Sequence, residues 1–107
     1  MSDTFRKVKS LVAEGDFLIS AHGYDELAAD DIFLSDILDS IEGGVVIEDY
    51  PSFAKGPCVL VLQRKGRNTV HVVWGIASGS ERPAVLITAY RPDPARWSSD
   101  FTQRKNR

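Results

Sequence analysis

A chain of 107 residues, 43% of them hydrophobic, can bury one core, and a single domain over residues 1–107 is expected. No apolar run reaches the length of a membrane span, the first residues lack a signal-peptide apolar region, and the lone Cys58 excludes an internal disulfide, so a cytoplasmic protein is expected. The net charge of -2 conceals an asymmetry: residues 1–50 carry three Lys or Arg against twelve Asp or Glu (-9), and residues 51–107 carry ten against three (+7).

Such halves predict a dipolar molecule with an anion-attracting side, or simply an acidic, solvated helical face. In chain order, Ser2 or Asp3 can cap a helix through Phe5, Val8, Leu11 and Val12 that Gly15 ends. Phe17 to Ser20 is too short an apolar stretch to assign. Ser20 then reads as the N-cap of a helix carrying His22 and Glu26, where the first-turn dipole favours a neutral imidazole. Leu34, Ile37, Leu38 and Ile41 continue at helical spacing until Gly43-Gly44.

After the glycines the period switches to two. Val45–Tyr50, Cys58–Arg64, Thr69–Ile76 and Ala84–Tyr90 read as strands, joined by connections short enough for a sequential antiparallel meander. Ala95 to Arg107 reads as a short C-terminal helix or tail with Trp97 and Phe101 packed down. The expected fold is α+β: N-terminal helices packed on a four-stranded antiparallel sheet.

The last strand ends in Pro92-Asp93-Pro94, through which a central strand cannot continue. Strict alternation puts Val85, Ile87, Ala89 and Arg91 on one face and Leu86, Thr88 and Tyr90 on the other. A hydroxyl, a phenol and a guanidinium gather at this strand end, and hairpin pairing with the preceding strand brings His71 within reach.

Four segments, Ile19-Ser20-Ala21-His22, Glu48-Asp49-Tyr50-Pro51, His71-Val72-Val73-Trp74-Gly75 and Val85 to Trp97, resemble in order the motifs of the bacterial "domain of unknown function 4258" family. The resemblance spans roughly residues 17 to 105. It implies an architecture similar to RelE-like and MqsR-like toxins, small ribonucleases of toxin–antitoxin pairs, and with it an antitoxin protein partner. Many relatives carry an arginine four residues after the motif histidine; this chain has Glu26 there, so no role of that arginine carries over.

Metal-independent RNA cleavage needs a base for the 2′-hydroxyl, an acid for the leaving 5′-oxygen and cations on the phosphorane. His22, His71 and Tyr90 are the candidate acid–base groups, and Arg64, Thr88 and Arg91 the candidate phosphate ligands. Arg64, Lys65, Arg67, Arg91 and Arg96 are expected on one positive surface, with Tyr50, Trp74 and Trp97 as rings for base stacking. The residues also admit plainer roles. His22 can bond a nearby strand, His71 can lie on the solvent side, Trp74 and Trp97 can anchor the core, and Tyr90 and Arg91 can brace the Pro-Asp-Pro turn. No cofactor is called for, and two distant histidines with one cysteine form no metal-ligand pattern. The leading expectation is a RelE/MqsR-like endoribonuclease; the alternatives are a non-catalytic RNA- or protein-binding module and a self-associating protein.

Overall fold

The computed structural model describes residues 2–105. Its elements run α1 (Asp3–Ala13), β1 (Phe17–Ile19), α2 (Ala21–Ala29), α3 (Leu34–Ser40), a 3₁₀ turn (Ile41–Gly43), then β2 (Val45–Tyr50), β3 (Cys58–Lys65), β4 (Asn68–Ile76) and β5 (Ala84–Tyr90). Ser2 caps α1 by accepting from the Phe5 N–H, and Ser20 caps α2 by accepting from the Gly23 N–H. Each satisfies an amide that the first helical turn leaves without a partner.

The sheet has five strands in the order β1-β5-β4-β3-β2, not four. β2 to β5 form the expected antiparallel meander, and β1 adds to β5 in parallel, Phe17 beside Ala84 and Ile19 beside Leu86. Three residues show no period of their own; the β5 edge they fill makes them a strand. Beyond β1, α2 takes over that edge. The Ser20 N–H donates to the Leu86 carbonyl, the Ser20 hydroxyl donates to the Ile87 carbonyl, and the Asp30 carboxylate accepts from the Arg91 N–H. Gly23 permits the approach, because a Cβ there would stand 2.8 Å from the Leu86 carbonyl oxygen.

One sheet face packs the core. Phe5, Val8 and Leu11 of α1, Leu27 of α2 and Ile37 of α3 bury against Val59, Val61, Val70, Val72, Trp74 and Leu86. Two bulges tune which residues face it. The register slips between Val46 and Glu48 in β2, and opposite Val73 and Trp74 in β5. Two residues on a bulged strand oppose one on its partner, so strict alternation fails there. Leu86 and Ala89 therefore both reach the core, while Val85, Ile87, Thr88 and Tyr90 share the opposite face. That corrects the alternation expected for this strand.

The segment after Arg91 is not helical among the described residues, and Asn106 and Arg107 lie outside them. It forms a strap with an isolated bridge between Trp97 and Arg104. The Asp100 carboxylate accepts from the Ser98 hydroxyl and from the Thr102 N–H and hydroxyl, local bonds that compete with a helix. Trp97 packs down as expected; the helix that was to carry it does not form.

Within the core, one polar network is fully paired. The Gln63 amide donates to the Ile37 carbonyl at 2.7 Å and to Ser40 Oγ at 3.1 Å, and accepts from Trp74 Nε1 at 3.0 Å. Trp74→Phe keeps most of the apolar volume but strands the Gln63 carbonyl in the core. It should cost about 1–3 kcal/mol in urea unfolding, the usual penalty of a buried acceptor left without a donor.

Candidate nucleic-acid interface

The sheet face opposite the helices is laid out in rows by strand pairing. Tyr50, Cys58, Gly75 and Val85 form one row; Glu48, Leu60, Val73 and Thr88 the next; Val45, Leu62, His71 and Tyr90 a third. The strap crosses this third row. Trp97 meets the His71 ring edge-on at 4.4 Å, and His71 Nε2 lies 2.9 Å from the Phe101 carbonyl oxygen. Phe101 sits at φ +64, a left-handed backbone that costs about 1–3 kcal/mol for a residue with a side chain.

A carbonyl only accepts, so His71 Nε2 carries the proton and Nδ1 accepts from the Tyr90 hydroxyl 3.2 Å away. His71 is 0% exposed. Burial pushes its pKa below the ordinary histidine value, against the Phe101 bond, which works the other way. The Tyr90 phenol is pushed up by burial. His71 thus shares its face with Thr69 and Val73, as alternation requires, but the strap removes it from solvent.

Near the end of the strap, Arg104 donates from Nε and Nη2 to the Glu48 carboxylate at 2.7 and 3.1 Å, and its guanidinium stacks 4.8 Å above the Trp97 ring. The Arg104 bond holds the Glu48 carboxyl below the usual range, and Glu48 in turn raises Arg104. Arg104, Arg96, Lys105 and Asp93 line an open cleft of about 580 Å3 with Trp97 at its wall. Arg64, also on this side, donates to the Asp100 carbonyl.

The structure brings His71 and Tyr90 together and leaves the other candidates apart. His22 is exposed in the first turn of α2, which is anchored at Leu86 and Ile87; the far end of α2, not His22, meets Arg91. Asp30, the C-cap of α2, is eight positions on from His22, about 12 Å along the helix axis. Arg91 donates from Nε and Nη2 to the carbonyls of Asp30 and Asp31 and from Nη1 to Asn68 Oδ1, so it closes the C-terminal end of α2. Thr88 is half-buried in the middle row. The expected positive surface divides: Lys65 turns to Asp39 at 2.6 Å, while Arg64 and Arg96 stay on the strap side. Trp74 and Trp97 are buried, and of the three proposed rings Tyr50 is the exposed one, at 46%.

Glu48, Phe53, Arg104 and Lys105 were not singled out for roles by sequence. Glu48 stood in a quoted family motif, but a carboxylate in a strand has no distinguishing spacing. Arg104 and Lys105 belonged to a segment read as a basic tail. Among the described residues, no group of three or more His, Cys, Asp or Glu is placed to hold a metal ion, and no helix is long and apolar enough to cross a membrane.

Residues 19–91, from the end of β1 to the first residue beyond β5, match the family described as "Domain of unknown function (DUF4258)". The chain belongs to this family. The DUF4258 match takes in β2 to β5 with the His71–Tyr90 pair, and leaves α1 and the strap outside it. No curated protein and no solved structure matches the chain.

His71 makes the strap pH-sensitive in a defined direction. Its pKa is lower folded than unfolded, so between the unfolded value of about 6.5 and the folded one the unfolded chain binds more protons, and stability falls on acidification. The Asp100 carboxyl of the strap turn, held at about 2 by its hydrogen bonds, lies well below that window. Thermal unfolding should be flat above about pH 6.5 and decline from there toward pH 5, ahead of ordinary carboxylate protonation. His71→Phe should flatten that decline.

Proposed function

We propose that this DUF4258 protein binds RNA through its strap-side face, with the phosphate backbone in the cleft of Arg96, Arg104 and Lys105. The observation that carries the reading is this cleft, about 580 Å3 of open surface where Arg96 and Lys105 face solvent beside Asp93, and Arg104 is bonded to Glu48 while stacking on Trp97. Guanidinium groups suit phosphate oxygens because their planar donors match them in pairs. Binding is favoured over cleavage because His71 is fully buried with both ring nitrogens engaged, and His22 stands at the far end of α2.

The Tyr90–His71 hydrogen bond supports a second reading, a metal-independent endoribonuclease similar to RelE/MqsR-like toxins, with an antitoxin protein as partner. In it the half-buried Tyr90 hydroxyl takes the 2′-hydroxyl proton while passing its own to His71 Nδ1. The step charges a buried imidazole, which its lowered pKa opposes.

Charge reversal separates binding from folding. Arg96, with its side chain 84% exposed, and Lys105 can be changed without opening the core. Single-stranded RNA held through about four phosphates should bind with a log–log salt slope near -3. In Arg96→Glu/Lys105→Glu, affinity should fall at least tenfold and the slope should fall to about half. Salt-independent binding, or unchanged binding in the double variant, overturns the cleft. Tyr90→Phe tests the second reading on the same RNA. Cleavage by the wild type that drops about 10²-fold in this variant, with binding unchanged, establishes the endoribonuclease. A wild type that binds RNA and leaves it intact establishes the binding module.

A further inference from the structure

The row farthest from the strap is uncovered. Phe53, Pro57, Cys58, Gly75, Val85 and Ile87 line an open apolar groove of about 450 Å3, with Lys55 at its side. This volume falls in the range of small-ligand sites, about 300–1,000 Å3. Its floor is flat because Gly75 contributes no side chain; a Cβ there would stand 2.8 Å from Ile87 Cδ1. Phe53 is 54% exposed and Tyr50 is 46% exposed, and the turn joining them is tied by the Phe53 N–H donating to the Tyr50 carbonyl. A domain that buries Trp74 and Trp97 leaves these two rings in water.

The groove and the cationic cleft are joined through one carboxylate. The Tyr50 hydroxyl donates to Glu48 Oε1 at 2.8 Å, and Arg104 Nη2 donates to the same oxygen at 3.1 Å. Arg104 therefore lies at the cleft end of this link and Tyr50 at the groove end. From Cys58 under the groove to Leu62 beside His71 is four residues of strand, about 13 Å, a distance that a short single strand bridges. The cationic character continues at the groove through Lys55, while Glu48 is neutralised by Arg104 and Asp49 lines a separate cleft with Arg6 and Lys9.

We infer that the apolar groove, lined by Phe53 and flanked by Tyr50 on the strand beside Cys58, holds unstacked bases of a single-stranded RNA whose phosphates lie in the Arg96–Arg104–Lys105 cleft. The inference rests on the RNA-binding reading and names its substrate class as single-stranded, because a duplex keeps its base faces stacked and out of reach of the groove. Stacking on aromatic rings is tolerant of sequence, since every base offers a π-face. Discrimination between bases is therefore expected to be modest, and discrimination between single and double strands large.

The test compares two probes of equal charge on the full chain: a 12-nucleotide oligoadenylate and a 12-unit abasic ribose-phosphate oligomer. Oligoadenylate should bind at least about fivefold more tightly for each base stacked. Phe53→Ala and Tyr50→Ala, both at exposed positions, should bring oligoadenylate toward the abasic affinity, and Phe53→Ala, which is not tied to Glu48, should leave the salt slope unchanged. Unfolding of each variant at the wild-type temperature serves as the folding control. Equal binding of the two probes by the wild type overturns the groove assignment and leaves the phosphate cleft standing. Failure of both probes to bind overturns the RNA reading and the groove together. Loss of the base preference in Phe53→Ala, with abasic binding intact, supports the inference.

Discussion

The imidazole of His71 is the point on which the strap-side face depends. Its burial is tolerable because each ring nitrogen has one fixed partner, the Tyr90 hydroxyl and the Phe101 carbonyl. A buried donor or acceptor left open costs more than a typical hydrogen bond contributes, so both partners are needed at once. The bond to Phe101 holds the strap to the sheet, and the bond to Tyr90 joins neighbouring strands β4 and β5 on that face. Trp97 closes over the ring, and Arg104, stacked on Trp97, reaches Glu48 of β2. One neutral histidine thereby links three strands and the chain's last described segment.

The same packing decides where charge is available. Arg91 spends its donors on the carbonyl end of α2, Lys65 meets Asp39 and Arg104 meets Glu48, which leaves Arg96 and Lys105 as the cleft's more open cations. Arg96 is loosely paired with Asp93, N to O 3.9 Å, in solvent, where such a pair contributes little. The excess of positive charge in residues 51–107 is thus divided by the fold into structural cations and those the strap presents beside Trp97. An edge strand and an open apolar row complete the surface, next to the cations and away from the helices.

Much of the architecture was legible in the residues. Ser2 and Ser20 cap helices because a hydroxyl one residue before a helical run can satisfy its free amides, a local property. The switch at Gly43-Gly44 from a 3.6-residue to a two-residue period marked the meander, and the motifs from Ile19 to Trp97 marked the family, whose match runs over residues 19–91. The His71–Tyr90 pairing also followed from hairpin connectivity.

What the tertiary structure alone decided were the contacts between segments with no period or spacing to announce them. Phe17–Ile19 becomes a strand only because β5 offers an open edge. Thr88 and Ile87 share a face only because a bulge in β5 adds a residue, and bulges arise from the fit of two strands, not from one strand's alternation. His22 reads from sequence as a partner for His71, yet α2 is stitched along β5 with its other end at Arg91. The strap is the clearest case. Residues 92–105 carry two prolines and a hydrogen-bonding Asp100, enough to discourage a helix, but the place where Trp97 and Arg104 land is set by a buried histidine 26 positions earlier than Trp97. Local chemistry determined the helices and the four-strand meander; burial and polar groups satisfied across the chain determined β1, the strap and the surface.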